Sequence, residues 1–393
     1  MKNFIYNIPT KAYFGKKQIE NLGPSIKEYS GNKILLVYGG GSIKRNGIYD
    51  EVVSELKKAE IKFIEYSGIK PNPRIDNLYE PIKIYKDNNL DFILGVGGGS
   101  VIDSCKAIAA GVNYSGDVLD LITNPAKITK AAPIGSIVTM AGTGSEMDMA
   151  SVITVGDDHR KFLVVHPLLS PKFTILDPTY TYTVPETHSM AGVFDAFNHL
   201  MEFYFTKGSE TTDVQNCMIE GIMRSITKNA LKLLKDPKDY DARANIMWAS
   251  STALAGFQFS SGKEHSNWSM HSIGHELSSL YDMTHGVTLA LISPAYLEFT
   301  LNKAPEYTWM FANFARNVFN VIEKDDSIAA KIGIEKFKEF IYEINMPRNL
   351  KEAGVEKDKL EYLAKNATER GQIGTLCTIE TDDALKILEM SYE

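Results

Sequence analysis

Cysteine is scarce in this chain of 393 residues: there are three, Cys105, Cys217 and Cys377, far apart and with no CxxC spacing. That excludes a disulfide framework and a thiolate zinc site. Long apolar runs are missing as well, and no stretch approaches the roughly 18 uninterrupted apolar residues that a membrane span needs. The opening Met1-Lys2-Asn3-Phe4-Ile5-Tyr6 lacks the apolar core and small-residue cleavage site of a signal peptide, so a reducing cytoplasm is the expected setting. Nor is positive charge in excess. Lys and Arg number 42 against 49 Asp and Glu, and the net charge of −7 argues against nucleic acid or an anionic membrane as partner. A small molecule is the expected partner. Histidine is sparse too, at eight residues, so any clustering of imidazoles carries information.

What is present reads as an ordinary globular composition, with 44% hydrophobic and 23% charged residues. The length suits two domains better than one core. In the first half, strand-like runs alternate with helical spacing. Lys33–Tyr38 (KILLVY), 61–66, 91–96 (DFILGV), 134–140 and 173–177 are short apolar runs, and 49–58, 76–88 and 101–110 carry helical periodicity. Continuous apolar strands with intervening helices predict a parallel sheet buried on both faces. After Val184-Pro185 the texture changes to helical periodicity at 190–205, 213–234, 242–257, 271–281 and 329–344. The expected architecture is an α/β domain over 1–184 with a nucleotide-binding parallel sheet, followed by an all-helical domain over 185–393.

The tetrapeptide GGGS occurs twice, each time after a strand: Gly39-Gly40-Gly41-Ser42 and Gly97-Gly98-Gly99-Ser100. Glycines at the second copy let the backbone approach a pyrophosphate, and the following helix offers free N–H groups and a favourable dipole. Ser100 is the expected N-cap. The pattern is neither a Rossmann fingerprint, since Ser100 stands where GxGxxG needs glycine, nor a Walker loop. The bland alternative is a tight strand-to-helix turn. The first copy continues Ile43-Lys44-Arg45, with no carboxylate of the kind that holds an NAD ribose. Backbone donors, a hydroxyl and two cations suit a 2′-phosphate, which favours NADP over NAD. The competing reading makes Lys44 and Arg45 a solvated helix start. A third small, hydroxyl-rich turn runs from Thr139 through Thr143 to Glu146.

In the second half, Asp195 and His199 are four apart, as are His271 and His275, and His285 follows beside Gly286, which suggests a turn. On helices each pair shares one face. One carboxylate with two or three imidazoles can saturate a borderline divalent ion and leave a position for substrate. Either pair alone is more often incidental. His275-Glu276 does not open a metalloprotease motif, because HExxH needs histidine where Ser279 sits. His159, His166, His188 and His265 show no partner spacing and read as ordinary.

Taken together, these motifs resemble the iron-containing (group III) alcohol dehydrogenases over nearly the whole chain. The resemblance is carried by Thr10-Lys11-Ala12-Tyr13-Phe14-Gly15-Lys16, Gly97-Gly98-Gly99-Ser100-Val101-Ile102-Asp103 and Thr143-Gly144-Ser145-Glu146. It continues through Leu176-Asp177-Pro178, Asp195-Ala196-Phe197-Asn198-His199, and His271 to His285-Gly286. Within the family the chain looks most like the NADPH-dependent butanol dehydrogenase and aldehyde reductase branch. The resemblance implies Asp195, His199, His271 and His285 as ligands of one divalent metal, Fe2+ or Zn2+, with cobalt and nickel compatible by donor type. It implies His275 near nicotinamide and substrate, as proton donor or as an orienting hydrogen-bond partner. It places Gly97, Gly98, Gly99, Ser100 and Asp103 at the pyrophosphate and ribose, and Gly39, Gly40, Ser42 and Lys44 at the 2′-phosphate. Asn72, Thr139, Thr143, Lys161 and Tyr180 fall at other cofactor-lining positions. Two departures are Met140-Ala141-Gly142 and the segment Ser261-Gly262-Lys263-Glu264-His265, which is expected to reshape the substrate entrance.

The implied activity is metal-assisted, reversible hydride transfer between NADP(H), or less favourably NAD(H), and a small primary alcohol or aldehyde. The implied assembly is a homodimer through the N-terminal edge. A lyase related to dehydroquinate synthase is one rival, although cations for a phosphorylated substrate are few. A polyol oxidoreductase of the glycerol dehydrogenase kind and a non-catalytic nucleotide or metal sensor are others.

Overall fold

A computed structural model describes residues 1–156, 160–255, 261–264, 268–369 and 371–393. Two compact units emerge, one spanning Asn7–Val184 and the other Pro185–Glu393 together with Met1–Tyr6. The first six residues therefore go with the helical unit, where the Lys2 N–H donates to the Gly262 carbonyl at 2.9 Å.

The first unit is built on six parallel strands in the order β1-β8-β5-β4-β2-β3. They are β1 (Lys11–Phe14), β2 (Lys33–Tyr38), β3 (Lys62–Tyr66), β4 (Phe92–Gly97), β5 (Ile134–Val138) and β8 (Phe173–Leu176). Alternate residues of one strand enter different cores, which is why the runs are continuously apolar. Ile34 and Leu36 pack with α1 (Leu22–Glu28), α2 (Ser42–Arg45) and α3 (Ile48–Lys58), whereas Leu35 and Val37 pack with α4 (Asp76–Asp87) and α5 (Gly99–Gly111). The order reverses between β2 and β4, since β3 lies beyond β2 while β5, β8 and β1 lie beyond β4. Both GGGS turns leave the C-terminal ends of these two strands, the usual ligand position in an open α/β sheet.

Two features depart from expectation. The short edge strand β1 has no fully buried residue, so no apolar run marks it. A separate antiparallel ribbon, β6 (Ala150–Val155) with β7 (Arg160–Val165), interrupts the α/β alternation.

The second unit is mostly helical. Glu186–Tyr204, Asp213–Lys235, Tyr240–Ala255, Ser269–Tyr281 and Asp326–Glu343 lie near the predicted positions. Residues 256 and 257 of the expected 242–257 helix lie outside the described residues. His285–Lys303, Thr308–Phe319, Leu360–Thr368 and Thr381–Met390 were not anticipated. The first of these is apolar on most sides and almost wholly buried, so it carries no stripe for periodicity to detect. Phe194 and Phe197 stack on Phe337 at 5.8 and 5.7 Å, which fixes the rotation of the helix that carries Asp195 and His199.

Candidate metal centre and nucleotide turns

Helix Glu186–Tyr204 is buried from Ser189 onward, and Asp195 and His199 project from it one turn apart. Helix Ser269–Tyr281 brings His271, and His285 is the first residue of the next helix. Gly286 is thus not a turn glycine, as its position suggested. A Cβ there would lie 1.9 Å from the Ala191 carbonyl oxygen, so glycine is what allows the two helices to approach. Asn198 reinforces the crossing by donating to Ser293 Oγ at 2.7 Å.

The donors converge. Asp195 Oδ1 stands 3.6 Å from His199 Nε2, 4.0 Å from His271 Nε2 and 3.7 Å from His285 Nε2. A tetrahedral ion with bonds of about 2.1 Å needs donors roughly 3.4 Å apart, so small adjustments suffice. Asp195, His199 and His271 are all buried and offer ligand atoms within 4.8 Å of one another. Burial, and then the neighbouring His271, hold His199 well below the usual histidine range. It therefore presents the neutral imidazole that a metal requires. Asp195, His199 and His271 fit a divalent ion as a donor set, and His285 Nε2, 3.7 Å from Asp195 Oδ1, stands at its edge as the candidate fourth donor.

Sequence reasoning missed Glu202. Its carboxylate is buried, and Oε1 accepts from the His271 backbone N–H at 3.0 Å and lies 3.1 Å from His271 Nδ1. Burial pushes Glu202 up to about 8, against the backbone N–H groups of His271, Met270 and Ser269 that favour its charge. Oε1, which already accepts from the backbone N–H, is an acceptor for Nδ1–H as well, and that tautomer leaves Nε2 free to ligate. The signal was available as a third residue, three after His199 on one helix face. Trp268 presents its ring edge-on to His199 and His271, at 5.7 and 5.0 Å between centroids.

His275 is separate from this convergence. Its ring lies 6.1 Å from that of His271 and 4.8 Å from that of His285, and it is partly exposed. Lys263, in the segment expected at a substrate entrance, instead points inward. Its Nζ donates to the Phe203 carbonyl at 3.0 Å and to Asn216 Oδ1 at 2.7 Å, and burial pushes it down to about 7. His166 caps a short turn by accepting from Leu168 N–H. His159 and His265 lie outside the described residues.

In the sheet-bearing unit, Ser100 is not the N-cap. The helix begins at Gly99, and Gly98, in extended conformation, accepts from Val101 and Ile102 through its carbonyl. Ser100 therefore sits inside the first turn. Gly97 and Thr139 are joined by a 3.0 Å backbone hydrogen bond across β4 and β5. Gly99 packs against Thr143 so closely that a Cβ would meet the threonine side chain at 2.4 to 2.8 Å. Asp103 faces inward: one oxygen accepts from Ser145 Oγ at 2.6 Å and the other from Val152 N–H at 2.9 Å. Burial raises its pKa, with Lys106 and more weakly Lys161 opposing. Lys106 is itself buried, donating to Ser145 Oγ, Asp148 and the Ala150 carbonyl. Tyr180 is packed in the α1/α3 core and donates to Glu51 at 2.5 Å. Asn72 adopts a left-handed backbone conformation, with φ of 51°. Gly40, Ser42 and Lys44 are exposed and Gly39 is partly so. The carboxylate absent from the first turn arrives from the adjacent strand, where Glu65 on β3 pairs with Lys44 at 3.1 Å.

Comparison with known proteins decides the family. The iron-containing alcohol dehydrogenase model matches residues 9–178, and the C-terminal model of the Fe-containing alcohol dehydrogenase family matches 189–392. The chain belongs to the iron-containing alcohol dehydrogenases. It is 45% identical to NADH-dependent butanol dehydrogenase A of Clostridium acetobutylicum over 395 residues, covering 100% of both chains. It is 34% identical to the NADPH-dependent aldehyde reductase YqhD of Escherichia coli over 397 residues, covering 99% of each. The crystal structure of NADH-dependent butanol dehydrogenase A from Thermotoga maritima superposes with a TM-score of 0.94 at 36% identity, covering 100% of this chain and 99% of that one. This iron-type alcohol dehydrogenase is an oxidoreductase, with a metal-ready donor set in its helical unit and glycine turns at the switch point of its sheet.

Proposed function

We propose that the chain interconverts a small primary aldehyde and its alcohol, with a nicotinamide dinucleotide as hydride partner and one Fe2+ or Zn2+ held by Asp195, His199, His271 and His285. The observation that carries this is the convergence of three Nε2 atoms on Asp195 Oδ1 at 3.6 to 4.0 Å. The ion would supply Lewis acidity toward a carbonyl oxygen. Glu202 holds His271 in the ligating tautomer. His275, partly exposed beside His285, holds a proton on its imidazole for the product alkoxide and reclaims it in the reverse direction. The 97–100 turn, Thr139 and Thr143 receive the pyrophosphate side of the dinucleotide. Gly39, Gly40, Ser42 and Lys44 receive the adenosine side, with Asn72, Asp103, Lys161 and Tyr180 as supporting positions.

The cations at Lys44 and Arg45 favour NADPH, and Glu65 beside Lys44 moderates that preference. Both coenzymes are accepted. Names among the relatives support either one: the Clostridium protein is called NADH-dependent and the Escherichia protein NADPH-dependent. Three free cysteines, and the lack among the described residues of any helix both long and apolar enough to cross a membrane, accord with a cytoplasmic enzyme. A homodimer is proposed through the sheet edge at β1, and light scattering of the purified protein tests it.

Steady-state reduction of butyraldehyde with NADPH and with NADH tests the function. Turnover with both, at kcat/KM values within about 100-fold, is expected; a 100-fold ratio corresponds to about 2.7 kcal/mol. Absence of aldehyde-dependent coenzyme oxidation by the metal-loaded protein would contradict it.

A further inference from the structure

Beside the 39–42 turn, four side chains close a small box. Glu65 Oε2 accepts from Tyr38 OH at 2.7 Å and from Lys44 Nζ at 3.1 Å, while Oε1 accepts from Tyr49 OH at 2.5 Å. The Lys44 ammonium also lies over both tyrosine rings, 5.1 Å from the centroid of Tyr38 and 4.4 Å from that of Tyr49. The register that pairs Leu36 with Glu65 places this carboxylate on the sheet face where Tyr38 also points. Partial burial would raise its pKa, but hydrogen bonds from Tyr38, Tyr49 and Lys44 outweigh it, so the net direction is down and the carboxylate is charged.

The box is more than a fold support. The core beneath it is complete without a charged pair, and Lys44 and Glu65 keep 47% and 32% of their side chains exposed. The pair faces solvent at the end of the strand where the turn opens. Lys44 would otherwise present a full positive charge to anything bound there, and Glu65 cancels it.

We propose that Glu65 sets the balance between NADH and NADPH in this chain, by neutralising and fixing Lys44 beside the turn that reads the adenosine ribose. This rests on reading the 39–42 turn as the adenosine side of the dinucleotide site. A ribose 2′-hydroxyl is indifferent to the charge on Lys44, whereas a 2′-phosphate is attracted by that ammonium and must compete for it with Glu65, which already holds it at 3.1 Å. The pair therefore lowers the discrimination that the lysine alone would impose. Glu65 is a specificity residue that acts through Lys44.

The test is equilibrium binding of NAD+ and NADP+ to the metal-loaded enzyme and to Glu65→Gln, Lys44→Met and the double variant. Glutamine keeps one oxygen that accepts from a tyrosine hydroxyl and presents an NH2 group to the other, whose hydroxyl oxygen accepts from it, so the charge is removed with the shape nearly unchanged. The expected result is a rise of about tenfold in the ratio of the NAD+ to the NADP+ dissociation constant in Glu65→Gln, and a fall of similar size in Lys44→Met. In the double variant, the glutamine exchange should have less than about a threefold effect on that ratio. Two results would overturn the proposal: parallel changes for both nucleotides in Glu65→Gln, as a purely structural role gives, or an unchanged ratio in Lys44→Met. Failure of the wild-type enzyme to bind either nucleotide would overturn the underlying reading of the turn instead.

Discussion

The candidate nucleotide turns and the candidate metal donors are built in opposite ways. In the sheet-bearing unit each candidate contact lies within a few residues of a strand end, and the 97–100 turn inherits its shape from β4 and α5. In the helical unit the donors come from three helices and span residues 195 to 285, so no local segment contains the site. A local site is supported by backbone; a dispersed one depends on the side chains that hold its ligands. The two should therefore fail differently.

The largest contrast is expected at Glu202. Glu202→Gln should weaken metal binding about 10- to 100-fold in chelator competition, as loss of a partner behind a ligating histidine does, while nucleotide affinity stays the same. Unchanged metal affinity would show that His271 is positioned by the helices alone. The converse variant is Gly99→Ala. Its Cβ would meet Thr143 at 2.4 to 2.8 Å, so the turn must open. Nucleotide binding should weaken about tenfold, equivalent to about 1.4 kcal/mol, with full metal content. Equal losses of metal and nucleotide would break the comparison. The smallest effect belongs to Ser100→Ala. Removal of a true N-cap costs about 1 kcal/mol, whereas a first-turn serine should cost less than about 0.5 kcal/mol in denaturant melts.

This contrast also explains how much could be read from the sequence. The strands β2, β4 and β5 announce themselves as apolar runs because both faces of the sheet are covered, and β1 does not because its side chains are half exposed. The candidate metal residues were visible as two i, i+4 pairs plus His285, but spacing alone could not separate His275 from the other candidates, since it shares a helix face with His271. Packing of three helices makes that separation. Glu202 and Glu65 were missed for one reason. Each acts on a residue distant in sequence, 69 positions away for His271 and 21 for Lys44, and only the helix contact or the strand register brings them together. Ser100 was misassigned because Gly98, in extended conformation, starts the helix two residues earlier.

Metal analysis of anaerobically purified wild type and His271→Ala, with nucleotide affinity measured on the same samples, tests the central claim most directly. The expected result is about one divalent ion per wild-type chain. The variant should show little metal, an activity loss on the order of a thousandfold, and nucleotide binding close to wild type. Full turnover by metal-free wild type, or a His271→Ala protein that keeps both its ion and its activity, would contradict the assignment of Asp195, His199, His271 and His285 as one metal centre.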